Sequence, residues 1–201
     1  MQSIENKILV KIKKCGKGKE FFASDFATYG DSKALSKALS NLVKKQVLIK
    51  LATGIYYYPK VDKKLGLGIL YPSLDTIAEA IAKRDKARIV PTGLYALNRL
   101  GLSTQVPANY VYLTDGSPRR IKIGNGKGIL LKHTAPKNLA FKTDLAMLIT
   151  FALREITQAR VTQEHLDRLK YVLQQVPKEH ILQDTKLMPA WIKKLILKLY
   201  E

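Results

Sequence analysis

Between residues 32 and 45, hydrophobic and polar positions recur every three or four residues, the spacing of one turn of an α-helix. The apolar side chains share one face, which must pack inward; they are Leu35, Ala38, Leu39, Leu42 and Val43. The opposite face is polar and cationic, and it contains Ser32, Lys33, Ser36, Lys37, Ser40, Asn41, Lys44 and Lys45. The pattern predicts an amphipathic helix, and an ordinary solvated helix face is one explanation of its polar side.

The period changes to two directly after this helix. Residues 46–51 alternate apolar and polar side chains, as a half-buried strand does. Ala52-Thr53-Gly54 predicts a tight turn, and residues 55–58 predict a return strand that Pro59 ends. The chain is therefore expected to form a two-stranded hairpin immediately behind the basic helix.

Two further helices are predicted upstream. Residues 3–14 carry a stripe of isoleucine and leucine, and residues 25–29 form a short helix that Gly30 ends. Two short helices joined by a glycine-containing turn are the signature of a helix-turn-helix. With the hairpin behind it, this order predicts a winged helix-turn-helix, a DNA-binding module, over residues 1–60.

The rest of the chain is predicted to be a mixed α/β domain at residues 72–201, reached through a lysine- and glycine-containing connector at 61–71. Helices are expected after Ser73 and from Thr92 to Leu100. Period-two alternation predicts three strands at 110–114, 119–123 and 129–132. With turns at Asp115-Gly116 and Gly124-Asn125-Gly126, these strands predict an antiparallel meander.

Helical spacing returns near the carboxyl terminus, at residues 144–157, 162–175 and 189–200. The predicted fold class is therefore α+β. It consists of an N-terminal winged helix-turn-helix followed by a mixed α/β domain with an antiparallel meander and a helical C-terminal tail.

Composition supports a polyanionic partner. The chain has 35 basic and 16 acidic residues, a net charge of +19. Residues 1–64 carry +9, residues 65–140 carry +7 and residues 141–201 carry +3. Nucleic acid is the commonest partner of such a charge, and the gradient favours the amino-terminal two thirds as its surface.

The predicted DNA contacts follow from how a helix reads the major groove. Lysines hold phosphates, while serine and asparagine side chains reach base edges. In the basic helix the candidates are Lys33, Ser36, Lys37, Ser40, Asn41, Lys44 and Lys45. In the hairpin, whose tip is the wing, they are Thr53, Gly54 and Tyr56.

Catalytic and metal-binding patterns are not found. The three histidines are far apart in sequence and have no cysteine partners, and Cys15 is a single cysteine. Asp115 is the only acid between Asp85 and Asp144, so this region cannot build a carboxylate site for Mg²⁺ from local residues. We expect no enzymatic activity, no cofactor and no metal.

Neither a membrane span nor a signal peptide is predicted. No window holds roughly 18 uncharged apolar residues, and Glu5 and several lysines interrupt the apolar positions of the amino terminus. The expected location is the cytoplasm.

Residues 91–116, PTGLYALNRLGLSTQVPANYVYLTDG, resemble the AbiEi-type antitoxin and transcriptional regulator family, bacterial winged-helix proteins of type IV toxin–antitoxin systems. A Gly-x-Tyr-x-x-Pro ending of the winged helix, at Gly54 to Pro59, adds to the resemblance. The matching residues of the block are Gly93, Ala96, Asn98, Leu100, Gly101, Leu102, Ser103, Gln105, Val106, Pro107, Tyr112, Thr114 and Gly116.

The resemblance implies a winged helix joined to a mixed α/β domain and binding to double-stranded DNA at the promoter of the protein's own operon. It also implies a genetically linked nucleotidyltransferase-like toxin, which the carboxyl-terminal domain counters directly or indirectly. The operator and the oligomeric state do not follow from it.

Two alternatives stay open: an RNA- or ribonucleoprotein-binding module whose middle domain carries the specificity, and a protein-interaction module without a toxin partner. Arg99, Arg119 and Arg120 are candidates for a polyanion- or partner-binding groove beside the predicted meander. The simpler explanation of Asn98 and Gln105 is that they form hydrogen bonds to loop backbone.

Overall fold

The structure is a computed structural model that describes residues 2–124 and 126–201. It confirms the predicted α+β class. Its contacts divide the chain into two compact units: the described residues up to Ala80 with part of Lys122–Gly126, and Ile81–Ile121 with Lys127–Glu201. This division falls inside the helix Leu74–Asp85. The sequence instead predicts a connector at 61–71, and the domain bounds stay a prediction.

The first unit begins with a helix, a strand, a short 3-10 helix, a second helix and a hairpin. These elements are α1 (Ile4–Cys15), β1 (Lys19–Phe22), the 3-10 helix Ala23–Tyr29, α2 (Ser32–Lys44), β2 (Ile49–Ala52) and β3 (Ile55–Tyr58). The three strands form an antiparallel sheet in the order β1-β3-β2. A second, two-stranded antiparallel ladder follows, formed by β4 (Lys60–Asp62) and β5 (Gly68–Leu70). Helix α3 (Leu74–Asp85) comes next.

The core of this unit contains the apolar faces of α1 and α2. Ile8 and Ile12 of α1 and Leu42 of α2 are fully buried, together with Phe26 of the 3-10 helix. The Asp31 carboxylate caps α2 by accepting the Ala34 N–H at 2.8 Å. The predicted orientation of α2, with its leucines inward, is confirmed.

Strand β1 was not predicted from the sequence. Its four residues show no turn signal or clear alternation, and Phe21 and Phe22 are both buried. Pairing with β3 supplies the missing backbone partners, because Phe21 lies opposite Tyr56. The strand therefore depends on a partner that is 35 residues away in the chain.

The second unit contains a four-stranded sheet and most of the helices. Its strands are β6 (Ile89–Thr92), β7 (Asn109–Thr114), β8 (Arg119–Ile123) and β9 (Lys127–His133), in the order β6-β7-β9-β8. Its helices are α4 (Gly93–Leu100), α5 (Asp144–Ile156), α6 (Gln163–Leu173), α7 (Lys178–Leu182) and α8 (Ala190–Leu199), besides the end of α3. Buried side chains of α4, α5, α6 and α8 form one hydrophobic cluster. No helix in the described ranges is both long and apolar enough to cross a membrane.

The predicted antiparallel meander is wrong. Strand β7 is antiparallel to β6 but parallel to β9, so the chain crosses over after β7 instead of turning back. Strand β9, with Ile129 and Leu131 buried, occupies a central position, whereas β8 exposes Arg120 and Lys122 at the edge. Buried apolar strands belong inside a sheet and charged strands at its edge. The predicted turn at Asn125 lies outside the described residues.

Candidate nucleic-acid interface

The polar side of α2 is exposed because the leucines on its other side are held in the core. Exposed side chains follow one another along its length, and we call them the basic face: Lys33, Ser36, Lys37, Ser40 and Lys44. Asn41 lies at its margin and is half-buried. The structure therefore brings most of the predicted helix contacts onto one continuous surface.

A broad depression of about 790 Å³ lies along the first turns of α2. It is lined by Asp31, Ser32, Lys33, Ala34, Ser36, Lys37 and Ser40. The serines and Ala34 are short, whereas Lys33 and Lys37 are long and lie one turn apart on the same side of the helix. Such a surface allows a phosphate backbone or a base edge to come close to the helix while ammonium groups contact phosphates.

The lysines of the basic face are available to a ligand. Among residues 2–124 and 126–201, none forms an ion pair with Lys33, Lys37 or Lys44. Lys45 differs, because its ammonium group is paired with the Glu5 carboxylate of α1. Of the predicted phosphate contacts, Lys45 is therefore the one that the structure places in an intramolecular interaction.

The hairpin turn is anchored at the end of the sheet. Thr53 is exposed, and Gly54 has a φ of +73°, in the left-handed region that favours glycine. The Gly54 carbonyl accepts the Ala23 N–H at 3.0 Å, which ties the turn to the start of the 3-10 helix. Thr53 and Gly54 thus lie where the sequence analysis expects the tip of the wing.

The prediction that Tyr56 contacts DNA is wrong. Its side chain is only 8% exposed and packs in the core of the first unit. Burial also raises the pKa of the Tyr56 hydroxyl. The run of three tyrosines in β3 does not indicate which of their side chains face the core. The strand register shows it, because Tyr56 lies opposite the buried Phe21.

Two other lysines have roles that the sequence analysis did not assign. Lys50 is exposed on β2, two residues before Ala52, and adds a cation to the hairpin near the turn. Its position on the polar side of an alternating strand was the available signal. Lys11 of α1 instead lies over the rings of Phe26 and Tyr29 and donates to the Asp25 carbonyl. Lys11 therefore stabilises the packing of α1.

The cations of this unit are of one kind, because every basic residue before Arg84 is a lysine. Arginine is the usual partner of guanine, since its guanidinium donates two parallel hydrogen bonds. Lysine is a point charge on a flexible chain and suits phosphates. The surface therefore combines lysines with the short polar side chains of Ser36, Ser40 and Asn41.

The three predicted groove arginines are not gathered into one cluster. Arg99 is exposed on α4, which follows β6, whereas Arg119 and Arg120 belong to β8 at the other edge of the sheet. Arg119 is paired with the Asp85 carboxylate, and Arg120 is exposed.

Residues 93–107 form α4 and the loop after it, which polar contacts hold in place. The Asn98 amide donates to the Ser103 carbonyl, and the Ser103 hydroxyl accepts the Gln105 N–H at 3.2 Å. Gly101 ends α4 with a φ of +70°, and Arg168 donates to the carbonyl of the preceding Leu100 at 2.8 Å. These contacts favour a structural role for Asn98.

Metal-binding geometry is not present in the described parts of the chain, where no three His, Cys, Asp or Glu side chains come together as potential ligands.

Comparison with known proteins adds a family and a distant structural likeness. A family model described as "Family of unknown function (DUF6088)" matches residues 7–181. The solved structure of the RV2827C protein from Mycobacterium tuberculosis aligns with a TM-score of 0.41 and 13% identity, covering 98% of this chain and 82% of that one. No curated protein matches the sequence.

Proposed function

This chain belongs to DUF6088, a family of unknown function, and we propose that it is a DNA-binding transcriptional regulator. In this proposal α2 enters the major groove, and the turn at Thr53 and Gly54 is the wing of a winged helix-turn-helix. The observation that carries the proposal is the basic face of α2, whose lysines form no ion pair within the part of the chain that the structure describes and lie on a helix whose other side is fixed in the core.

The order of elements around α2 supports the same assignment. A helix and a strand precede a short helix, α2 follows it, and a hairpin completes the sheet. The turn of that hairpin is tied to Ala23, at the start of the helix before α2. A helix and a turn fixed on one small core make a rigid pair of contact points, as DNA recognition requires.

The lysines have a defined role in this mechanism. Lys33, Lys37 and Lys44 contact phosphates and set the register of the helix on the duplex. Ser36, Ser40 and Asn41 contact base edges. Since each neutralised phosphate releases counterions, the logarithm of the affinity falls with the logarithm of the salt concentration by about 0.9 per contact.

The test is charge reversal on the basic face. Lys37→Glu with Lys44→Glu should abolish binding of the full chain to a random-sequence duplex in a gel-shift at moderate salt, because two phosphate contacts become repulsions. The milder pair Lys37→Ala with Lys44→Ala should lower the salt slope by about two.

The matched control is Lys193→Glu with Lys194→Glu, which removes the same charge from exposed positions of α8. It should reduce affinity only slightly, through the weaker overall field. Equal losses from the two pairs would show that net charge, and not the basic face, determines binding. Retention of a structured RNA in preference to the duplex would support the RNA-binding alternative instead.

The second part of the proposal concerns the block at residues 91–116 and its resemblance to AbiEi-type proteins. On this basis we assign the protein to the cytoplasm of a bacterium, as an autorepressor and the antitoxin of a type IV-like toxin–antitoxin pair. Residues 72–201 would then carry the effect on a nucleotidyltransferase-like toxin. This part rests on resemblance, whereas the DNA-binding part rests on the surface of α2.

A further inference from the structure

The segment between β3 and α3 exposes an unusual amount of apolar surface. We call residues 60–71, which contain β4, β5 and the loop between them, the ribbon. Five of its large hydrophobic side chains are exposed by 41–77%: Val61, Leu65, Leu67, Ile69 and Tyr71. Exposed apolar side chains are ordinary when they are scattered, but a concentration of this kind marks an interaction surface.

The ribbon is ordered, so its exposed side chains are held outward. At its tip, the Asp62 carboxylate accepts the N–H groups of Lys64 and Leu65 at 2.8 and 3.0 Å. At its other end, the Tyr57 hydroxyl donates to the Leu70 carbonyl. These contacts fix Leu65, which is 77% exposed, in a defined turn.

The ribbon leaves the first sheet at the end away from the wing. The turn at Thr53 and Gly54 precedes β3, whereas the ribbon begins at Lys60, after the last residue of β3. If DNA lies along the wing, the ribbon starts at the opposite end of that strand. The placement of DNA along the wing rests on the proposed function, whereas the exposure and order of the ribbon do not.

We infer that the ribbon is a self-association surface, which pairs with the ribbon of a second copy of this chain. A two-stranded ladder is at best marginally stable alone, and its outer edges offer unpaired backbone groups. Val61 and Ile69 lie opposite each other across the ladder. Two copies related by a two-fold axis can pair their edges into one four-stranded ladder, which brings the apolar side chains of the two ribbons next to each other.

A second copy fits this surface better than a lipid bilayer. Val61 and Ile69 lie on a ladder whose outer N–H and C=O groups have no partner within it, and such groups are costly to bury in hydrocarbon. Another strand satisfies them. Gly68 of β5 has no side chain, which leaves the edge accessible to a neighbouring backbone.

The area and the charge indicate how strong the association is. Complete burial of the five side chains would remove roughly 500 Å² per copy, or about 1,000 Å² for a pair, which is an upper limit and lies at the small end of protein interfaces. Lys60, Lys63 and Lys64 lie on the same ribbon, with Asp62 as its one acid. Because the lysines of two copies repel, added salt should strengthen the dimer. Salt weakens DNA binding, so the two activities respond in opposite directions.

The test is sedimentation velocity of the full chain over a range of protein concentrations, at low and at high salt and without DNA. The wild type should shift from monomer to dimer as concentration rises, with a lower dissociation constant at high salt. Leu65→Ser with Leu67→Ser should raise that constant by about tenfold or more, since these are the two most exposed aliphatic side chains of the ribbon. Both positions are exposed, so the variant should keep its fold, which circular dichroism checks.

The matched control is Leu94→Ser with Val106→Ser, which removes two exposed hydrophobic side chains elsewhere and should leave the dimer unchanged.

A wild type that stays monomeric at every concentration and salt would overturn the inference, as would a double variant that associates like the wild type. Co-sedimentation of a monomeric wild type with anionic phosphatidylserine vesicles, lost in the Leu65 and Leu67 variant, would assign the ribbon to membranes instead. A wild type that dimerises but binds no duplex would refute the proposed function and leave this inference standing.

Discussion

Glu20 is a half-buried carboxylate at the middle of β1, opposite Tyr57 of β3. Its Oε1 atom is buried without a hydrogen-bond partner among the described residues. Burial raises the pKa of Glu20 above its usual value, and the backbone and Lys19 only partly oppose that effect. At neutral pH the ionised side chain therefore destabilises the sheet.

We expect Glu20→Gln to stabilise the protein at pH 7, by ~1–2 °C in Tm. A raised pKa in the folded state means that stability is present when Glu20 is protonated and is lost as pH rises through that pKa. The gain over wild type should therefore be largest at neutral pH and vanish at acid pH. Thermal melts across this range measure it, with Glu79→Gln, an exposed position of α3, as the control. A gain that grows towards acid pH would contradict the assignment.

Lys45 and Tyr56 show the limit of single-residue prediction in the candidate site. Helical spacing places Lys45 with the other lysines, but its long side chain reaches Glu5 of α1. Strand alternation allows Tyr56 to face either side, and the core takes it. In both cases the residue type is suited to DNA contact, but a distant part of the chain determines the position of the side chain.

At the scale of elements, α5 depends on a carboxylate from the far end of its unit. Asp184 is 1% exposed and accepts the N–H groups of Lys142 and Thr143 at 3.0 and 2.8 Å, just ahead of the helix. The Thr143 hydroxyl in turn donates to the His180 carbonyl. This group of bonds joins the start of α5 to the segment after α7.

Asp184→Ala should lower the free energy of unfolding by about 2–3 kcal/mol, because two backbone donors lose their charged acceptor in a buried place. Asp184→Asn keeps one acceptor oxygen and should lose about half as much. Urea denaturation measures both, and Glu79→Ala serves as an exposed control. A loss below ~1 kcal/mol for Asp184→Ala would show that water replaces the carboxylate.

The sheets illustrate why elements are easier to predict than their partners. The strands at 110–114, 119–123 and 129–132 were located closely, since alternation is a local property. Their pairing was not, because nothing local distinguishes a hairpin after β7 from a crossover that brings β9 beside it. Strand β1 was missed altogether, since its partner β3 defines it.

At the scale of the whole molecule, the charge gradient and the division into two units support separate roles. The net charge of +9 over residues 1–64 accompanies the basic face of α2, and the carboxyl-terminal 61 residues carry only +3. If the amino-terminal unit binds DNA and the remainder opposes a toxin, the two activities should be separable by substitution.

We therefore expect Lys37→Glu with Lys44→Glu to lose repression of the protein's own promoter but to keep protection from a co-expressed, genetically linked nucleotidyltransferase-like toxin. Promoter-reporter output measures the first activity, and recovery of growth measures the second. The Lys193 and Lys194 variant should retain repression. Loss of both activities in the Lys37 and Lys44 variant, with normal protein levels, would mean that antitoxin action requires DNA binding.

The sequence by itself determined the amphipathic α2 with its lysines outward, the hairpin behind it, most of the helices and the strong positive charge. These features depend on periodicity, turn residues and composition, which act within a few residues of the chain. Only the tertiary structure decided that β7 pairs parallel with β9, that Tyr56 is buried, that Lys45 binds Glu5 and that the 60–71 ribbon leaves its apolar side chains exposed. Each depends on which distant surfaces meet, and packing free energy selects among arrangements that local preferences permit equally.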